Sequence, residues 1–167
     1  MTAVKIAVFS DSHGDVDHME QAVRRERPYL VLHLGDLVRD FQELQSRMPM
    51  QTMQNVCGNC DGFTEVPDQR VLLVEGRRIL MTHGHRYHVK QTYGPAYYAA
   101  REAEADVLLF GHTHIPYCER EGELWMLNPG SCRGSGGTYG VIDLGAEEIR
   151  CEIRRMGDGA PKNEGCV

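Results

Sequence analysis

One pattern recurs five times along the chain: a short apolar run stops, and a side chain able to bind a metal follows at once. Val4–Phe9 leads to Asp11 and His13, Leu30–Leu34 to Gly35-Asp36, and Gln54–Cys57 to Gly58-Asn59. Ile79–Thr82 leads to His83-Gly84-His85, and Val107–Phe110 to Gly111-His112-Thr113-His114. Short runs rich in β-branched residues read as buried strands. In open α/β sheets, ligand sites gather beyond the carboxyl ends of the strands. If these strands are neighbours, the five ends converge on one crevice.

The remaining pattern supplies the scaffold. Tyr29–Leu34, Val71–Val74, Arg78–Met81, Leu124–Leu127 and Tyr139–Leu144 also read as strands. Helices are predicted over Val16–Arg25, Asp40–Arg47 and Ala96–Glu104, with Pro95 suited to a first helical turn. Strand and helix alternate in the first half, which predicts parallel βαβ units. Turn signals at Glu75-Gly76, Glu121-Gly122 and Gly134–Gly137 predict antiparallel hairpins in the second. The fold class is α/β: two mixed sheets face to face, with helices outside. The expected organisation is a single domain over residues 1–156 and a loose Gly- and polar-rich tail over 157–167.

Imidazole with carboxylate suits divalent Mn, Fe, Ni, Co or Zn. Asp36, the lone carboxylate of its loop, is the natural bridge between two ions. Asp11, His13 and His114 complete one ion in this reading, and Asn59, His83 and His112 the other. Two ions ~3.5–4 Å apart activate a water and clamp both ends of an in-line phosphoryl displacement. With a bridging hydroxide the loaded site stays net positive, so a phosphate is attracted locally. Gly35, Gly58, Gly84 and Gly111 each sit beside a proposed ligand.

Composition narrows the substrate. Among 167 residues, 18 Lys and Arg face 24 Asp and Glu, a formal charge of −6. Long nucleic acid needs clustered cations and is excluded as a partner. No apolar run reaches the ~18 residues of a membrane span. The apolar start is broken by Lys5 and runs into Asp11, unlike a secretory leader, so a cytoplasmic location is expected. Six cysteines in a core-rich, unsignalled chain do not suggest a disulfide framework. Cys57-x-x-Cys60 lacks the second pair of a structural zinc site.

These motifs, in this order, resemble the calcineurin-like metallophosphoesterase superfamily. Asp11-Ser12-His13, Gly35-Asp36, Gly58-Asn59-Cys60-Asp61, Thr82-His83-Gly84-His85 and Gly111-His112-Thr113-His114 are most similar to its small bacterial and archaeal phosphodiesterase branch. Asn128-Pro129-Gly130-Ser131 is similar to that branch's late motif. The resemblance implies a four-layer α/β/β/α sandwich and hydrolysis of small phosphodiesters by a hydroxide activated at a dinuclear metal centre. It implies the same ligands: Asp11, His13, Asp36 and His114 for one ion, and Asp36, Asn59, His83 and His112 for the other. Mn is the expected metal, with Fe, Ni, Co, Zn or Mg as alternatives.

One departure concerns the general acid. Many members carry His where this chain has Cys60, a weak donor with an ordinary pKa near ~8.5. Cys60, His85 and a metal-bound water are the candidates. Diesters with good leaving groups suffer least from a weak acid. Ser131 and Arg133 are candidate substrate contacts. His33 reads as a core histidine, and His88 as either an entrance or a surface residue. Tyr93, Tyr97 and Tyr98 suit helix packing, base stacking or a subunit interface. Partners are a small phosphoester, with a nucleotide diester among the options, and a second copy of the chain, since relatives often assemble. The alternatives are a phosphomonoesterase on the same site, or a non-catalytic interaction scaffold like the retromer subunit with a metallophosphoesterase-like fold. Lost ligands would mark that scaffold, and all seven are present here.

Overall fold

The computed structural model describes residues 3–157. The tail expected to be loose lies outside them, apart from Gly157. Two five-stranded sheets pack face to face. The first holds β1 (Val4–Phe9), β2 (Leu30–His33), β3 (Met53–Asn55), β9 (Thr138–Leu144) and β10 (Ile149–Arg155), in the order β10-β9-β1-β2-β3. The second holds β4 (Gln69–Val74), β5 (Arg77–Thr82), β6 (Val107–Leu109), β7 (Tyr117–Glu121) and β8 (Leu124–Asn128), in the order β4-β5-β6-β8-β7. Helices α1 (Val16–Glu26), α2 (Val38–Arg47) and α3 (Gly94–Glu102) complete the regular structure of the described residues, with a short 3-10 turn at His85–Tyr87.

Alternation along each strand builds the layers. From β1, Ile6 and Val8 point into a core shared with Ile79, Met81 and Leu109 of the other sheet. Ala7 and Phe9 point outward onto Met19 and Val23 of α1 and Phe41 and Leu44 of α2. On the far side, Leu80, Leu108 and Met126 meet Ala96 and Ala100 of α3. The result is the four-layer α/β/β/α sandwich. Strands buried on both faces explain the near-continuous apolar runs.

Local chemistry sets the helix ends. Asp15 caps α1, accepting from the His18 amide at 3.1 Å. Pro95 occupies the first turn of α3, which starts two residues before the predicted boundary. Tyr93 packs edge-on against Phe110 and Tyr117, with ring centroids 4.8 Å apart in each case.

One expectation needs correcting. The second half is not simply antiparallel: β5 pairs parallel with β6, and β6 parallel with β8, because α3 carries a crossover between β5 and β6. Only β4–β5, β7–β8 and β9–β10 form hairpins there. β7 and β10 are strands without an apolar run to announce them. Both lie on sheet edges and carry charged side chains, as edges commonly do.

Candidate metal centre

The parallel strands β1, β2 and β3 end on one side of the seam between the sheets, and β5 and β6 end on the other. Their following residues carry Asp11 and His13, Asp36, Asn59, His83, and His112 and His114. Five of these residues adopt left-handed backbone: Asp11 (φ 55°), His13 (φ 43°), Asp36 (φ 55°), His112 (φ 72°) and His114 (φ 65°). Asp and His tolerate that region better than most side chains. Such turns swing side chains sharply off the strand ends and into the seam.

Glycine allows the loops to interlock. A Cβ at Gly58 would strike the Asp36 carboxylate and lie 2.9 Å from His83 Nδ1. A Cβ at Gly111 would strike Ser10 Oγ and lie 2.9 Å from Asp11 Oδ2.

Two overlapping donor groups result, each with its ligand atoms within 4.8 Å of one another: Asp11, His13 and His114, and Asp11, Asp36 and His83. Asp11, rather than Asp36, is common to both. Its Oδ1 lies 3.1 Å from His114 Nε2 and 3.8 Å from both His13 Nε2 and His83 Nε2. Its Oδ2 accepts from Ser10 Oγ at 2.5 Å and from the His112 amide at 3.1 Å. The His112 ring meets the His83 ring edge-on, centroids 5.1 Å apart. Asn59 is exposed, and its amide donates to Cys60 Sγ at 3.6 Å. The structure thus gathers five of the seven predicted ligands and sets His112 beside them, while Asn59 stands on the exposed loop after β3.

The donor set fits divalent ions. His83 sets its Nδ1–H on the Leu34 carbonyl at 2.8 Å, which turns Nε2 inward. That Nε2 lies 3.4 Å from Asp36 Oδ2. The His83 and His13 Nε2 atoms and His85 Nδ1 are buried without a hydrogen-bond partner. Unsatisfied buried nitrogens facing carboxylates are what ligands look like without their ion.

Electrostatics agree. Burial pushes the Asp36 carboxyl up, but His83 and the Cys60 amide outweigh it and hold Asp36 well below the usual carboxylate range. Burial opposes protonation of His83, yet Asp36 and Asp11 raise it overall. Burial, aided by the charge of His83, brings His112 down to about 4. Burial and His83 lower His85 as well. Burial and the adjacent Asp36 raise Cys60, which keeps its proton at Sγ.

A polar scaffold that no sequence motif assigns holds these loops. The Gly35 amide can only donate, so His33 Nδ1 accepts from it at 3.1 Å. His33 Nε2–H then donates to Ser12 Oγ at 3.0 Å, and Ser12 donates to Asp40 Oδ2 at 2.7 Å. Burial pushes His33 down to about 4, so the relay runs through a neutral ring. Asp61 accepts from the amides of Asp36 (3.0 Å), Val38 (2.7 Å) and Gly58 (2.6 Å). Asn128 donates to the Gly111 carbonyl at 3.1 Å and to Thr113 Oγ1 at 2.9 Å. Ser131 donates its hydroxyl proton to the Asp11 carbonyl at 2.8 Å, while Arg133 is exposed. The motif residues Asp61 and Asn128 are visible in the sequence. Their bonding is not.

Known proteins share this arrangement of strands and loops. The model of the calcineurin-like phosphoesterase superfamily domain matches residues 4–147. The probable metallophosphoesterase YsnB of Bacillus subtilis is 38% identical over 133 residues, which is 78% of this chain and 76% of that protein. The phosphodiesterase YfcE of Escherichia coli is 38% identical over 101 residues, 53% of this chain and 50% of that protein. Among solved structures, a conserved uncharacterized protein from Streptococcus pneumoniae superposes with TM-score 0.79 at 30% identity, covering 93% of this chain and 91% of that one. Vacuolar Protein Sorting 29 from Cryptosporidium parvum superposes with TM-score 0.73 at 15% identity, covering 93% and 98%, a likeness of fold alone.

Proposed function

Because the chain belongs to the calcineurin-like phosphoesterase superfamily, we propose that it is a metal-dependent phosphodiesterase for small substrates, holding two divalent ions at the seam. Asp11, His13, Asp36, Asn59, His83, His112 and His114 are the proposed ligands. The observation that carries this reading is the pair of donor groups meeting at Asp11, with imidazole nitrogens left unsatisfied in a buried site. Carboxylate and imidazole donors without thiolate suit manganese. Bound ions supply Lewis acidity toward phosphoryl oxygens and lower the pKa of a water.

The chain's own residues do the rest. Asp11 and Asp36 supply fixed negative charge, and the Leu34 carbonyl fixes the ring of His83. Cys60 carries a proton at Sγ, beside the carboxylate loop, for the leaving oxygen. Its raised pKa makes it a reluctant donor.

The test is hydrolysis of bis(p-nitrophenyl) phosphate by metal-free protein with and without added manganese, with metal content measured in parallel. Manganese-dependent turnover with two ions per chain is expected. Asp36→Ala should remove both ions if Asp36 bridges them. Loss of one ion only would assign the shared position to Asp11. No turnover and no bound metal would overturn the proposal.

A further inference from the structure

Each sheet has two edges, and three of the four are guarded. β7 and β10 carry charged side chains at three positions or more. β3 is only three residues long, and its Asn55 carbonyl accepts from Arg70 Nε at 2.6 Å. Charge, shortness and capture of the edge groups are common defences against strand pairing. β4 has none of them. It is six residues long (QRVLLV), and its one charged side chain, Arg70, is the one committed to Asn55.

The exposed side chains and the unused backbone groups of β4 belong to the same residues. Leu72 and Val74 pack into the core between the sheets, so Gln69, Val71 and Leu73 face outward. Val71 pairs with Leu80, which α3 covers, yet Val71 is 51% exposed and Leu73 73%. The Glu75-Gly76 turn has both residues at positive φ (50° and 78°) and closes the hairpin on the pair Val74–Arg77. In a two-residue hairpin that flanking pair exchanges N–H···O bonds, and the exchange recurs at every second residue. Arg70, Leu72 and Val74 therefore bond to β5. The N–H and C=O groups of Gln69, Val71 and Leu73 point off the edge, and among the described residues no loop bonds the Val71 and Leu73 amides.

We propose that β4 is a homodimerisation strand: it pairs antiparallel with β4 of a second copy, about a two-fold axis through Leu72, and joins two five-stranded sheets into one. An isologous pairing uses one patch twice, so β4 must complement itself, and it does. Val71 stands opposite Leu73 of the partner subunit, and Leu73 opposite Val71 of the partner subunit, with their backbone groups in bonding position. Gln69 stands opposite Glu75 of the partner subunit. Gln69 Oε1 already accepts from Tyr87 OH at 2.6 Å, which leaves its amide N–H groups for that exposed carboxylate. Arg70 stands opposite Val74 of the partner subunit. No like charges meet across the axis, although the chain carries −6 overall. A slip of one residue would set the outward Val71 and Leu73 against inward-facing residues, so the register is specified.

The experiment is sedimentation of the 167-residue chain from about 1 to about 500 µM, since a patch of one strand suits a dissociation constant in the micromolar range. A monomer–dimer equilibrium is expected. Leu73→Lys should weaken it about 10-fold or more by placing a charge on the edge. Met50→Lys, which charges an exposed apolar residue away from β4, should leave it unchanged. Melting temperature checks that both variants are folded. Amide hydrogen exchange of the wild type gives a readout that needs no substitution: protection at Val71 and Leu73 should rise with protein concentration. A wild type that stays monomeric throughout would leave the edge to an extended segment of another protein and overturn the proposal. A dimer that survives Leu73→Lys at wild-type strength, or that forms without protecting Val71 and Leu73, would place the interface elsewhere and overturn it too.

Discussion

Gly58→Ala isolates the packing of the metal centre from every other effect. Gly58 does not lie in the left-handed region, so alanine carries no backbone penalty there. The new methyl would meet Asp36 and lie 2.9 Å from His83 Nδ1. Neither neighbour is free to yield. The Cys60 amide holds Asp36 Oδ1 at 2.9 Å, and the Leu34 carbonyl holds the His83 ring at 2.8 Å. Restoring ordinary contact requires the two donors to part by roughly 0.5–1 Å, a misplacement that costs on the order of 100-fold in rate. Overpacking of this kind also destabilises by about 1–3 kcal/mol, and at about 2–4 °C per kcal/mol for a chain of this size the melting temperature should fall by several degrees. The assay is manganese stoichiometry and affinity by titration, followed by turnover of bis(p-nitrophenyl) phosphate. Gly136→Ala is the control, since nothing lies within 4 Å of its Cβ and its φ is not left-handed. If Gly58→Ala kept wild-type metal affinity and turnover, the reasoning from close packing would be refuted.

Three other outcomes are expected. Glu26 is buried and accepts from Tyr139 OH at 2.5 Å and from Arg154 Nη1 at 2.6 and 2.8 Å, so Glu26→Gln should cost about 2–3 kcal/mol, read as a drop of about 4–12 °C in Tm. Burial pushes the Glu26 carboxyl up, but Tyr139, Arg154 and Lys5 outweigh it and keep the folded value below the ordinary 4.5. Its stabilisation is therefore present above that pH and lost as pH falls below it. The Tm gap between wild type and Glu26→Gln should narrow in acid, and a constant gap would contradict the linkage. His33→Ala should weaken manganese binding about 10–100-fold by freeing the Ser12 and Gly35 loops. His33→Gln, whose amide accepts at one end and donates at the other, should restore part of it; unaltered affinity in His33→Ala would leave the relay without a role in positioning. The reluctant Cys60 thiol implies faster cleavage of an aryl diester than of an alkyl one, and equal rates would remove the argument for a weak acid.

What the sequence made legible was local. Each ligand loop announced itself by a short apolar run followed by Asp, His or Asn, and the first turn of α3 by Pro95. The crossover between β5 and β6 was hidden, because the Glu75-Gly76 turn marks the β4–β5 hairpin and nothing local marks the partner on β5's other edge. The edge strands β7 (YCERE) and β10 (IRCEIRR) hide for a related reason. Their charge is suited to an open sheet edge and masks the strand pattern. The support for the ligands was invisible because it acts at long range. Asp61 holds residues more than twenty positions away, and Ser131 holds Asp11 across 120. Seven side chains were nameable as a set, but the sharing of Asp11 between two groups depends on how the sheets face each other.

That facing has a thermodynamic consequence. The centre draws on both sheets, β1 and β2 from one and β5 and β6 from the other. The proposed ions, if they bind only the assembled seam, would act as rivets through the sandwich. Each adds about 2.7 kcal/mol when its free concentration is one hundred times its dissociation constant. Removing metal would slacken the grip of one sheet on the other as well as stop the chemistry. The folded fraction of the chain would thereby be coupled to the supply of metal around it.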